Sequence, residues 1–222
     1  MIRLLIFDLD GTLVDSSIDI TNALNHALSP FGNPKLTVAQ TIGLVGEGVT
    51  RLIEKVAGDD SPERRDDILQ RFVTYYAAHL TDATRPYPGV VQTIGKLTGR
   101  RKAVISNKRE FMSRRLLTDL GLMRYIDVVL GGDSIDEKKP SPKPLFHVMK
   151  LLETDPEESV IVGDSIIDIQ AGKAAGVKTI AVSYGFRAAD TLRDADFIID
   201  SIVDLPVVLE RLDALGNRRS GR

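Results

Sequence analysis

Six short apolar runs punctuate this chain: Leu4-Leu5-Ile6-Phe7, Ala103-Val104-Ile105, Val128-Val129-Leu130, Val160-Ile161-Val162, Ile180-Ala181-Val182 and Phe197-Ile198-Ile199. None alternates apolar with polar residues, as a strand with one wet face would, so each reads as a strand covered on both faces. A sheet flanked by helices on both sides supplies that cover. Helical spacing fills the intervals: Glu110 to Leu120 closed by Gly121, Leu145 to Leu152, Ser165 through Lys173 to Gly176, and Leu205 to Leu215. Ser201-Ile202-Val203-Asp204 supplies an N-cap and a first-turn acid for the last of these. The predicted fold is α/β, a doubly wound parallel sheet.

One connection breaks the rhythm. About 95 residues separate Phe7 from Ala103, whereas a β-α-β crossover needs only a dozen or more. Within that interval Ile18 to Leu28, Val38 to Ile42, Val49 to Val56 and Ile68 to Leu80 have helical spacing, and no strand is evident. The expected organisation is a core of residues 1–14 and 86–216 and an all-helical inserted domain of residues 15–85. Pro86-Tyr87-Pro88-Gly89 marks the return, and residues 217–222, without apolar periodicity, form an expected disordered tail. An insert that leaves and rejoins the chain just after the first strand would hang over the strand ends, where a lid belongs.

With 29 basic and 31 acidic residues in 222 and no long block of one sign, nothing marks a nucleic-acid or membrane face. The absence of cysteine excludes disulfides, thiolate metal sites and cysteine nucleophiles. The N-terminus reads neither as a signal peptide nor as a membrane span, so a cytoplasmic protein is expected. Monomer and homodimer stay open.

The ends of three predicted strands carry complementary chemistry: Asp8 and Asp10 after the first, Ser106-Asn107-Lys108 after the second, Gly163-Asp164-Ser165 after the fourth run at Val160. In parallel packing these ends meet on one sheet edge, the usual ligand position of open α/β folds. Residues i and i+2 of an extended chain share a face, so Asp8 and Asp10 point into one cleft. Acids, small donors and a cation there suit a phosphoryl group bound with Mg²⁺. Asp168 lies four residues beyond Asp164, on the same side of a helix, able to order a metal's water or support its ligands. Asp168 reads equally as a favourable first-turn charge.

Asp8-Leu9-Asp10-Gly11-Thr12-Leu13-Val14-Asp15-Ser16, Ser106-Asn107, Lys139-Pro140-Ser141-Pro142 and Gly163-Asp164 with Asp168 resemble, in order, the four motifs of the haloacid dehalogenase superfamily. Within it the resemblance is to Mg²⁺-dependent phosphatases with a helical cap, most like phosphoglycolate phosphatases. It implies Asp8 as a nucleophile forming an aspartyl-phosphate and Asp10 as general acid and base. It further implies Mg²⁺ held by Asp8, the Asp10 carbonyl and Asp164, and phosphate bound by Ser106 and Lys139 with Asn107 as auxiliary donor. Lys138 and Lys143 compete with Lys139 but read as solvated loop charges. Gly43-Leu44-Val45-Gly46-Glu47-Gly48 resembles the substrate loop of phosphoglycolate phosphatases, making Gly46, Glu47, Gly48 and nearby Arg51 specificity candidates. Lys108 and Arg109 are further candidates for a substrate carboxylate.

The implied activity is phosphomonoester hydrolysis on a small phosphorylated metabolite, 2-phosphoglycolate first. The alternatives are a sugar-phosphate phosphatase or mutase, a pyrophosphatase, a phosphonoacetaldehyde hydrolase using Lys35 or Lys55 of the insert, and a receiver-like phospho-aspartate signalling module. Asp10 and the insert argue against the last, which needs neither an acid and base nor a lid. His26, His79 and His147 have no metal-ligand spacing, and Gly163-Asp164-Ser165-Ile166-Ile167 lacks the second glycine of a serine-hydrolase elbow.

Overall fold

A computed structural model describes residues 1–58 and 61–220. In chain order the elements are β1 (Leu4–Phe7), β2 (Val14–Asp15), α1 (Ser17–Leu28), α2 (Val38–Leu44), α3 (Val49–Ala57), α4 (Pro62–Ala78), β3 (Arg85–Pro86), α5 (Val90–Lys96) and β4 (Arg101–Ile105). They continue as α6 (Glu110–Asp119), β5 (Val128–Leu130), α7 (Lys143–Leu151), β6 (Ser159–Gly163), α8 (Ile166–Ala175), β7 (Lys178–Val182), β8 (Phe197–Ile199) and α9 (Leu205–Ser220). Among the described residues no helix is long and apolar enough to cross a membrane.

The six apolar runs are the six strands of one sheet, ordered β5-β4-β1-β6-β7-β8 and parallel throughout. Alternation along β1 sends Leu5 and Phe7 to one face and Leu4 and Ile6 to the other. The first face packs on Ile94 of α5, Leu116 of α6 and Leu209 of α9; the second packs on Leu145 of α7 and Ala171 of α8. Burial on both faces therefore explains why these strands lack alternation. From β1 the chain builds outward through β4 and β5, then crosses to β6 on the other side. The order reverses at β1, which opens a crevice beyond its carboxyl end.

The insert has a core of its own. Leu24 and Ala27 of α1, Ile53 of α3, and Ile68 and Phe72 of α4 pack together, joined by Met112 from α6. The helix expected from Ile68 begins six residues earlier, with Ser61 accepting a hydrogen bond from the Arg64 amide and Pro62 in the first turn. Its first turns, Pro62-Glu63-Arg64-Arg65-Asp66-Asp67, carry no apolar stripe, so periodicity alone starts the helix late.

The two connections to the core form a structure that the sequence does not signal. β2 and β3 pair antiparallel, Val14 opposite Pro86 and Asp15 opposite Arg85. Asp19 of α1, 1% exposed, fastens the returning chain by accepting from the amides of Ala83 and Thr84 and from the Thr84 hydroxyl. Ser201 caps a single 3₁₀ turn, accepting from the Val203 amide, and α9 follows from Leu205. The tail expected at 217–222 overlaps the end of α9, and residues 221 and 222 lie outside the described residues.

Candidate active site

Past Phe7 the backbone turns tightly, with the Leu13 and Val14 amides both bonding the Leu9 carbonyl and the Gly11 amide bonding the Val14 carbonyl. Gly11 takes φ +82°, and a Cβ there would stand 2.2 Å from Asp164 Oδ2. Gly185, beyond β7, meets the same side chain from the other side: its Cβ would lie 2.3 Å from Asp164 Cβ. Both positions need glycine because two loops close directly onto this carboxylate.

The turn sends the paired aspartates into different neighbourhoods. Asp8 accepts from Lys139 Nζ at 2.9 Å, and one carboxylate oxygen from each of Asp8, Asp164 and Asp168 lies within 4.8 Å of the others. Asp10 accepts instead from the Ser16 hydroxyl at 2.6 Å and from Lys108 Nζ at 2.9 Å. Lys108 Nζ also bonds the Tyr76 hydroxyl, which α4 brings over from the insert, at 2.5 Å.

The electrostatics of the first group are those of a site short of positive charge. Burial pushes Asp8 up to about 7, against the pull of Lys139 and helped by Asp168. Burial also drives Asp164 well above the ordinary carboxylate range, with Asp8 and Asp168 adding to it. Burial would lower Lys139, but Asp168 and Asp8 outweigh it and hold its amine above the usual lysine range. Three carboxylates face one ammonium, and such oxygen donors, close together and under-neutralised, suit a hard divalent cation.

Asp168 starts α8, as a first-turn charge would, and bonds the site lysine rather than another carboxylate. Its Oδ2 accepts from the amide and hydroxyl of Ser165 in a capping box that starts α8, while Oδ1 accepts from Lys139 Nζ at 2.6 Å. Both oxygens are committed, which places Asp168 as the anchor of Lys139. Asp164 Oδ2 accepts from the Phe186 amide at 2.7 Å.

These residues line one cavity together with Ser106, Asn107, Lys108, Arg109 and Arg187 from the sheet side. The insert supplies Gly46 and Gly48, the apolar Ile20, Val45, Val49, Leu52, Phe72 and Val73, and Tyr76. Two specificity candidates lie elsewhere: Glu47 pairs outward with Lys55, and Arg51 pairs with Glu54 on an exposed helix face. Neither Lys35 nor Lys55 lines the cavity, which removes the insert lysine that a Schiff-base chemistry would need.

Asn107 is placed at the site but differently from a phosphate donor. Its Nδ2 donates to the carbonyls of Gly46 and Lys139, so both amide hydrogens are taken and the side chain ties the insert to the core. Lys138 does the same through the Glu47 carbonyl at 2.6 Å, so it is a strut and not the solvated charge expected of it. Lys143 is solvated, paired with Glu137. A third strut, Arg187, donates to the carbonyls of Ile42 and Val45. Sequence reasoning passed over Arg187 and Phe186; the available signal was Gly185, a glycine at the tip of a buried strand.

The chain matches the haloacid dehalogenase-like hydrolase family over residues 5–182. It belongs to that family. Among curated relatives it is 39% identical to a phosphoglycolate phosphatase of Chromobacterium violaceum, over 92% of this chain and 95% of the relative. It is likewise 39% identical to a phosphoglycolate phosphatase of Aquifex aeolicus, over 94% and 97%. Among solved structures, a predicted phosphoglycolate phosphatase from Haemophilus somnus superposes with a TM-score of 0.87 at 28% identity, over 94% of this chain and 98% of that one. CbbY from Rhodobacter sphaeroides, solved in complex with phosphate, gives 0.80 at 26% identity, over 92% and 96%. The haloacid dehalogenase-like fold, its parallel sheet and the hydrolase assignment read from the four motifs are thereby shown for this chain.

Proposed function

We propose that the protein hydrolyses a small phosphomonoester, 2-phosphoglycolate first among substrates, through a phosphoryl group carried on Asp8. The observation that carries this reading is the separation of the two aspartates: Asp8 sits with Lys139, Asp164 and Asp168, while Asp10 sits with Lys108 and Ser16. Separate surroundings allow the two carboxylates separate tasks, and a divalent cation held beside Asp8 would keep it ionised as the nucleophile.

In the first half-reaction an Asp8 carboxylate oxygen attacks phosphorus, the bond from phosphorus to the ester oxygen breaks, and the Asp10 carboxyl gives its proton to the departing alkoxide. In the second, Asp10, now a carboxylate, takes a proton from water as that water attacks phosphorus and releases Asp8. One proton enters and leaves Asp10 per turnover. Lys139, fixed by Asp168, and the Ser106 hydroxyl bind phosphoryl oxygens and stabilise charge as it develops. The insert walls the cavity with apolar side chains and limits water.

Asp8, Asp164 and the Asp10 main-chain carbonyl are the proposed holders of Mg²⁺, which when bound neutralises the carboxylates and draws off phosphoryl charge. The substrate name rests on the curated relatives, which are phosphoglycolate phosphatases matched over nearly their whole length. The test is phosphate release from 2-phosphoglycolate, sugar phosphates, nucleotides and pyrophosphate, with and without Mg²⁺. Turnover surviving both chelation and Asp8→Asn would end the mechanism, and preference for another ester would change only the substrate.

A further inference from the structure

Four basic residues line the cavity: Lys108, Arg109, Lys139 and Arg187. Three already have protein partners, and Lys139 is the one assigned above to the phosphoryl group. Lys139 is shared by Asp8 and Asp168, and Lys108 by Asp10 and Tyr76. Arg187 spends its guanidinium on the carbonyls of Ile42 and Val45. Arg109, at the N-cap of α6 and half-buried, has no side-chain hydrogen bond or ion pair among the described residues. The exposed end of that helix is also taken, since the Glu110 amide donates to Asp133 at 2.8 Å.

We infer that Arg109 is the specificity-determining residue for a carboxylate on the substrate, at the end opposite the phosphoryl group. The inference rests on the phosphatase reading and deepens it by naming the side chain that reads the substrate's carboxylate. The insert offers no competing cation, because its side of the cavity is apolar apart from Tyr76 and the two glycines. A single guanidinium presents the paired donors that match one carboxylate. A neutral hydroxyl in the same place would leave that fork only partly satisfied, so acid and alcohol analogues are told apart.

The experiment compares 2-phosphoglycolate with 2-hydroxyethyl phosphate, which replaces the carboxylate by a hydroxymethyl group, in wild type, R109M, R109K and R187M. In R109M the ratio of kcat/KM for the acid over the alcohol should fall about 10- to 100-fold, the size of one charge-assisted contact, with the loss in KM. R109K should recover part of it, and the melting temperature should match wild type because the side chain has no partner to lose. A wild type without preference for the acid, an unchanged ratio in R109M, or a fall confined to R187M would overturn the inference. If 3-phosphoglycerate is preferred to 2-phosphoglycolate and R109M abolishes that preference over glycerol 3-phosphate, the substrate named above falls and the role of Arg109 stands. If 2-phosphoglycolate is preferred and R109M keeps the ratio, the reverse holds.

Discussion

The core and the insert meet at one cavity and bring opposite materials to it. Every charged side chain that lines it comes from the core; the insert contributes apolar side chains, two glycines and one tyrosine hydroxyl. The core fixes its groups by strand register, since Asp8 follows β1 and Asp164 follows β6 directly. The insert is held by core side chains that donate to its main-chain carbonyls, at Ile42, Val45, Gly46 and Glu47. Backbone carbonyls accept from whatever donor is near, so this attachment tolerates changes in the insert's side chains. Charge and apolar cover at the cavity are thus encoded in different parts of the chain and fixed by different kinds of bond.

Asp8→Asn sets the largest test of that division. On the proposed mechanism it should cost at least about 10³-fold in kcat in a phosphate-release assay while the fold survives; a small loss would place the chemistry elsewhere. The same variant has a second signature. In the folded protein Asp8 is raised to about 7 from its ordinary 3.8, so the metal-free native state keeps a proton that the unfolded chain releases. Native stability is then lost as pH rises from about 4 to about 7. With EDTA present, the melting temperature of wild type should fall relative to Asp8→Asn across that window, and Mg²⁺ at pH 8 should restore it; parallel curves would contradict the charge shortage.

Asp19→Ala addresses how the insert is hung on the core. It leaves the part-buried Ala83 amide and the buried Thr84 amide without their acceptor, and denaturant unfolding should show a loss of about 3 kcal/mol. An effect within error would mean that the β2 and β3 pairing holds the hinge unaided. Lys138→Met should be milder, since it frees only the Glu47 carbonyl: KM should rise about 3- to 10-fold for every substrate alike, with kcat nearly kept. Discrimination among substrates in that variant would show that the strut also reads the ligand.

Legibility follows the same boundary. Asp8 and Asp164 could be placed at the sheet edge because each directly follows a buried strand, with Asp10 two residues further into the turn, and strand direction decides where the next residue points. The helices of the insert were legible from periodicity except for the first turns of α4. Their orientation over the core was not, because it is set by long-range bonds such as Arg187 to Val45. Tyr76, four residues after Phe72 on α4, reads as one more core residue until folding brings its hydroxyl to Lys108. Glu47 and Arg51 were drawn to the site by the glycine loop beside them, but local sequence does not say which side of such a bend faces a ligand. Asn107 was identified at its place and given a different task by the two carbonyls that occupy its amide.

The pairing of Val14 with Pro86 also bears on how the chain folds. β1 must find β4 across about 95 intervening residues, a long search for a parallel pair. Once the helical insert has formed and its two ends are pinned side by side, the loop left to close is roughly 20 residues, which lowers the entropic cost by about 1 kcal/mol. An insertion that lengthens the path between the central strands therefore works as a clasp, shortening the effective contact order of the strand pair that positions Asp8.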